Sequence, residues 1–249
     1  MDQIGKGLLS IFDRIYIVNL DSRPDRLREI SAELARVGLS PDGDQVRRFS
    51  AVRPEAADGW PSIGAKGCFM SQLRILREAE ADGLDSVLIL EDDADFSVTF
   101  LTQPEPYLAG LKDPTWTMLH GGLPQMTTTD GRIRARHVPF DEPMLFAHFI
   151  GFRKGAIAGA AAYLEAIAAR PPGSPEGGPM HVDGAYFWFR RAHPEMVMLT
   201  FEPTMAIQRS SASDITPGSR LDRFKWLRGP LSIARRAKRR LFRGLQTSG

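Results

Sequence analysis

Val87-Leu88-Ile89-Leu90-Glu91-Asp92-Asp93-Ala94-Asp95 is an apolar run that stops in four carboxylates within five residues. A short, all-apolar run rich in branched side chains reads as a strand covered on both faces, as in the sheet of an α/β domain. The acids then stand at its carboxyl end, which in open α/β sheets is the edge where ligands bind. Like charges so close repel unless something positive lies among them. A divalent cation answers this, because carboxylate oxygens suit magnesium or manganese and such an ion also holds substrate phosphates. A solvated acidic turn after a strand is the alternative.

Around this run, β and α patterns alternate. Ile15 to Leu20 predicts a first strand, and Asp21 to Arg26 a polar turn opening a helix with Pro24 in its first turn. That helix carries Leu27, Ile30, Leu34 and Val37 at three- and four-residue spacing and stops at Gly38. Val46 to Val52 predicts a second strand, and a second helix is expected from near Lys66-Gly67 to Gly83. Later strands are expected over 115–120, 144–152 and 196–201, with a helix over 156–167. The stretch 127–138 reads as a flexible or hairpin segment. Together these predict an α/β fold in three layers with a mostly parallel central sheet and right-handed crossovers. Pro171 to Pro179, with four prolines and three glycines, reads as a mobile loop and candidate lid before His181-Val182-Asp183. Asp183 opens an aromatic helix, either as a general base or as its N-cap.

The 249 residues suffice for one large α/β domain, expected over 1–219, and a tail over 220–249. A hydrophobic content of 43% with 25% charged residues excludes a largely disordered chain. The single Cys68 cannot form an internal disulfide, and Met1 to Phe12 resembles neither a secretory signal nor a spanning segment. A reducing, cytoplasmic setting is the expectation. The net charge of +2 hides an asymmetry: residues 220–249 hold ten Lys or Arg and one acid, leaving 22 basic and 29 acidic residues elsewhere. In the tail, apolar Leu231, Leu241, Phe242 and Leu245 interleave with arginines at helical spacing. That pattern predicts a basic amphipathic helix lying on an anionic membrane surface. Nucleic acid is the less favoured partner, because the acidic body would repel it.

Metal-bound acids at a sheet edge admit sugar transfer, nucleotidyl transfer and phosphate ester hydrolysis. An aspartyl phosphatase places its acids after the first strand, whereas here they follow the third. Four blocks then resemble glycosyltransferase family 25, the lipopolysaccharide-type β-galactosyltransferases. They are Ile17-Val18-Asn19-Leu20-Asp21-Ser22-Arg23-Pro24-Asp25-Arg26; Phe49-Ser50-Ala51-Val52 with Gly64 to Ser71; Leu88 to Asp93; and Val182-Asp183 through Pro203 to Gln208. Gln72 stands where that family usually has histidine, and Arg53 where an acid is frequent.

The resemblance implies a nucleotide-sugar fold of the A type, a UDP-sugar donor, manganese or magnesium, and transfer of a hexose, galactose or glucose, with inversion. The acceptor would be a glycan or lipid-linked glycan such as lipopolysaccharide, reached by an enzyme peripheral on the inner face of the cytoplasmic membrane. Asp93 and then Asp95 are the expected metal ligands. Asn19, Asp21, Arg26, Ser50, Ala51, Val52, Glu91 and Asp92 are expected at the nucleotide sugar, and Asp183 as the base. His120, His181 and His193 stand as further polar candidates, each with a plainer structural reading. The rival functions are a nonenzymatic binding protein with a polyanion-binding tail and a metal-dependent phosphohydrolase.

Overall fold

Strand β1 (Arg14–Asn19) sits between β2 (Val46–Ser50) and β3 (Ser86–Glu91), parallel to both, in the computed structural model, which describes residues 2–123 and 131–209. These residues all fall in the unit Met1–Ala212. The basic stretch 220–249 and residues 127–130 lie outside them. Side chains alternate across the sheet as a two-residue period requires. Tyr16, Val18, Val87 and Ile89 enter one hydrophobic core, while Ile15, Ile17, Leu88 and Leu90 enter the other.

The first core is covered by α3 (Ile63–Ala81), α6 (Ala156–Ala169) and α7 (Val182–Ala192). The second is covered by α1 (Asp2–Leu9), α2 (Pro24–Arg36), and the short α4 (Val98–Thr102) and α5 (Glu105–Leu111). The three layers are as expected from the sequence. Helix α2 starts at Pro24 and its chain reverses at Gly38, whose φ of +78° suits glycine. Helix α3 begins earlier than its apolar pattern suggested, because the Ser62 hydroxyl caps it by accepting from the Ala65 N–H at 3.0 Å.

The second half of the sheet departs from the expectation of a mostly parallel arrangement. The order is β2-β1-β3-β7-β5-β8-β6, with β5 (Met118–His120), β6 (Arg134–Val138), β7 (Phe149–Arg153) and β8 (Met198–Glu202). Strand β7 runs antiparallel to both β3 and β5, and β6 antiparallel to β8, while β5 and β8 are parallel. The sheet is therefore mixed. A run buried on both faces has the same hydropathy in either direction, so its apolar pattern carries no direction.

Three elements had no counterpart in the sequence reading, the helix α1 and a pair of short strands. Immediately after the acidic turn, β4 (Ala94–Phe96) pairs antiparallel with β9 (Ala206–Gln208) in a separate two-stranded sheet. It brings residues 206–209 against the acids. Among the described residues no helix is long and apolar enough to cross a membrane.

Candidate functional site

The carboxyl ends of β1, β2 and β3 share one rim, since Asn19 pairs in register with Ser50 and Val18 with Glu91. Asn19 is buried there and uses both ends of its amide. Its Nδ2 donates to Asp92 Oδ2 at 2.8 Å and to the Arg23 carbonyl at 3.1 Å, and its Oδ1 accepts from Arg48 Nε at 3.1 Å. Arg26 Nη1 reaches Asp92 Oδ1 at 3.0 Å. Asp21 accepts the Ser50 hydroxyl at 2.6 Å and an Arg48 guanidinium N–H. These two partners, Ser50 first, hold the Asp21 carboxyl below its usual range. Thus Asn19, Asp21, Arg26, Ser50 and Asp92 are brought together. Arg48 joins them unforeseen, although its place two residues before Ser50 puts it on the same strand face. Ala51 extends the ladder by donating to the Asn19 carbonyl at 2.9 Å. Val52 donates its N–H to the Ser71 hydroxyl at 2.8 Å, and Gly67 lets α3 approach, since a Cβ there would stand 2.6 Å from the Val52 carbonyl.

Glu91 turns the other way, toward α3 and α7. Its Oε1 accepts from the Cys68 thiol at 3.0 Å and from Gln72 Nε2 at 3.2 Å. Gln72 is fully buried, and its Oε1 accepts from the equally buried Tyr186 hydroxyl at 2.9 Å. Burial first, and then the negative charge of Asp93, push the Glu91 carboxyl up to about 7; the Cys68 hydrogen bond opposes this, and Asp92 and Asp183 add to it. Burial first, and then Glu91 with smaller contributions from Asp183 and Asp93, push the Cys68 thiol up as well, so it stays protonated and acts as a donor.

Asp93 follows two residues on. Its carboxylate accepts from Gln208 Nε2 at 3.2 and 3.4 Å, and its carbonyl from the Arg209 N–H at 2.7 Å. Asp95 is held differently: Arg209 Nε lies 3.1 Å from each of its carboxylate oxygens, and the same guanidinium also meets Glu29. Its carboxylate is engaged by an arginine, whereas that of Asp93 accepts from the Gln208 amide. Among the described residues no group of three or more His, Cys, Asp and Glu side chains is arranged as a metal cage. A magnesium-class ion held mainly by phosphates and water asks for only one or two carboxylates. Asp93, with Glu91 beside it, meets that smaller requirement.

Asp183 is the second residue of α7, while His181 occupies the N-cap without a side-chain capping bond. The Asp183 carboxylate accepts the Phe146 N–H at 2.9 Å and the Gly184 N–H at 2.8 Å. Phe146 sits at a φ of +68°, a conformation unusual for a bulky residue, and Asp183 is one of the groups that fix it. His120 is another. Its Nδ1 accepts the Gly122 N–H, so the proton is on Nε2, which donates to the Leu145 and Phe146 carbonyls at 3.2 and 3.1 Å. Burial lowers its pKa to about 3 and keeps it neutral. At the far end of α7, the fully buried Arg190 donates to the Val138, Pro139 and Glu142 carbonyls. Helix α7 therefore straps the segment 138–146 at both ends. His193 ends α7 and meets Glu195 at 3.1 Å.

Sequence reasoning missed His148. It is 1% exposed, and burial lowers its pKa to about 4 against the smaller, opposing effect of the Ala206 backbone. It pairs across the sheet end with Glu91, whose N–H donates to its carbonyl at 2.9 Å. The sequence placed it inside the strand expected over 144–152, but the strand starts one residue later, at Phe149. The loop 171–179, read as a lid, is internally hydrogen-bonded and lies against the turn at Asp58-Gly59, where a Cβ on Gly59 would stand 2.4 Å from Pro172. Tyr186 and Phe189 are core residues.

No family model matches the chain. Over 134 residues it is 29% identical to a human (Homo sapiens) protein named inactive glycosyltransferase 25 family member 3, covering 46% of this chain and 22% of that one. The chain thus matches about a fifth of that relative's length. Among solved structures, it is similar to a glycosyltransferase involved in the glycosylation of the major capsid of PBCV-1, with 12% identity and a TM-score of 0.42, over 80% of this chain and 93% of that one. It is also similar to A197 from STIV, with 13% identity and a TM-score of 0.34, over 82% and 97%.

Proposed function

We propose that this protein is a glycosyltransferase of the family 25 type that moves a hexose from a UDP-sugar to a glycan or lipid-linked acceptor, with inversion and with manganese or magnesium. The observation that carries the reading is the group of carboxylates at the carboxyl end of β3, within a chain whose sequence resembles a glycosyltransferase 25 family member. In this reading Asn19, Asp21, Arg48 and Ser50 frame the nucleoside end of the donor, with Ala51 and Val52 bordering it through backbone. Asp93 holds the metal, with Glu91 beside it. A divalent ion bound there would supply charge neutralisation for the departing diphosphate, a stabilisation that would grow toward the transition state. Asp183 takes the proton of the acceptor hydroxyl through lone pairs that its two backbone hydrogen bonds leave over. The basic residues of 220–249 hold the enzyme at an anionic membrane surface, where a lipid-linked acceptor is found.

A binding protein without turnover is the second reading. It is favoured by Asp183, both of whose oxygens already serve the backbone. One experiment separates the two. Purified protein with manganese is offered each common nucleotide sugar, and melting temperature and UDP release are followed. A melting shift selective for one UDP-sugar, with UDP released, supports transfer. The same shift without release supports binding alone, and no shift with any nucleotide sugar overturns both.

A further inference from the structure

Both described hydrogen bonds to the Glu91 carboxylate land on one oxygen. Cys68 and Gln72 each donate to Oε1, whereas Oε2 receives no bond from the described residues and is not sealed in the interior. Gln72 is held in turn. Its Nε2 also points to the Ala147 carbonyl at 3.4 Å, and its Oε1 accepts the Tyr186 hydroxyl, so the amide cannot flip without losing both partners. Tyr186 is fixed by burial in the α7 core, with its ring 5.2 Å from that of Phe152. A buried polar chain whose members are all satisfied is rigid, because any alternative rotamer leaves a donor or acceptor unpaired. This chain runs from the core to a single carboxylate oxygen and stops.

We propose that Gln72, pinned by Tyr186, is a positioning residue that turns Glu91 so that Oε2 accepts a hydroxyl group of the bound nucleotide sugar. The inference rests on the UDP-sugar reading and deepens it, by assigning recognition of a sugar hydroxyl to Glu91 and the orientation of that carboxylate to Gln72. An acceptor oxygen already held in place accepts such a hydroxyl without the cost of ordering a free side chain. Two hydroxyl sources share this chemistry, the ribose and the transferred hexose.

The test measures manganese-dependent binding by the full chain of UDP, 2′-deoxy-UDP and UDP-galactose, for the parent, Gln72→Met, Glu91→Gln and the double variant. Gln72→Met keeps the side-chain length and removes the hydrogen bonds to Glu91, Ala147 and Tyr186. Its affinity is expected to fall about tenfold or more, as for loss of a hydrogen bond to a charged group. In the Glu91→Gln background the same change should cost nothing further, since a positioning residue acts only through the group it positions. A loss seen with UDP but not with 2′-deoxy-UDP assigns the ribose hydroxyl; a loss confined to UDP-galactose assigns the hexose. Tyr186→Phe, which leaves the ring in the core, carries the same test with a smaller loss if Gln72→Met does not fold. Parent-like affinities in Gln72→Met, or a loss that adds in full to that of Glu91→Gln, overturn the inference. Failure of the parent to bind any of the three overturns the UDP-sugar reading itself, and the role of Gln72 with it.

Discussion

The two sides of the rim hold their carboxylates by different means. Toward β2 and α2 each acid meets an arginine: Asp92 with Arg26 and Asp21 with Arg48, and on the small β4–β9 sheet Asp95 with Arg209. Toward α3 and α7 the partners are neutral: a thiol and an amide on Glu91, and two backbone N–H groups on Asp183. Arginine-balanced acids tie strands together and leave little charge over. Acids held by neutral donors are fixed in place without a compensating positive charge, and for Glu91 burial and then the negative charge of Asp93 favour the protonated form. The second kind is what a cation or a hydroxyl-bearing ligand addresses. In the proposed reading the neutrally held Glu91 and Asp183 face ligand, while Asp92 and Asp95, each paired with an arginine, tie the rim together.

Four variants or conditions break or sharpen this contrast. The largest effect is expected on turnover from the neutral side: Asp183→Asn should lower the rate by roughly 10² to 10⁴, the contribution of a positioned base, with donor affinity nearly intact. Full activity with lower heat stability would make Asp183 only the anchor of Phe146. On the arginine side, Asp92→Ala leaves Arg26 and Asn19 without their shared acceptor. Breaking a largely buried pair from one end costs about 3 to 5 kcal/mol, to be read from urea unfolding midpoints. A loss below about 1 kcal/mol would place Asp92 with the ligand-facing acids.

The third prediction concerns pH. His120 and His148 are held neutral, with pKa values lowered to about 3 and 4, so below the ordinary histidine range the unfolded chain binds protons that the folded one does not. Stability is therefore full above about pH 6.5 and falls as pH drops toward 4, by about 1.4 kcal/mol per pH unit for each group. Glu91 acts with opposite sign: raised to about 7, it keeps a proton in the folded state that the unfolded chain releases, which lowers stability as pH rises from about 4.5 to 7. Glu91→Gln should accordingly steepen the rise of stability with pH over that interval in metal-free buffer. An unchanged slope would mean that Glu91 does not titrate there. The last prediction is also the sharpest contrast with Asp92→Ala: at neutral pH Glu91→Gln should raise the urea unfolding midpoint rather than lower it, because a buried charge repelled by Asp93 is removed.

Much of this rim was readable in the sequence. The apolar run of β3 and its acids, β1 ending at Asn19 and the proline-started α2 follow local rules of periodicity and capping, and local rules suffice where neighbours in sequence are neighbours in space. What could not be read depends on distant partners. The arginine that engages Asp95 and the tyrosine that pins Gln72 each lie 114 residues from their partner. No spacing rule links Asp95 to Arg209, so Asp95 read only as a second metal ligand after Asp93, and its arginine partner came into view when β9 was placed beside β4. The direction of β7 was hidden for another reason, since burial on both faces erases the alternation that orients a strand. His148 stayed unremarked because it fell inside the stretch 144–152 read as a strand, whereas β7 begins only at Phe149.

The most direct test compares Asp93→Asn with the parent in calorimetric titrations of manganese and a panel of UDP-sugars, with thermal unfolding recorded alongside. The parent is expected to bind one UDP-sugar in a manganese-dependent way, and Asp93→Asn to lose that binding while keeping the parent's unfolding midpoint. If Asp93→Asn binds manganese and the UDP-sugar as the parent does, the carboxylates at the end of β3 are not the donor site.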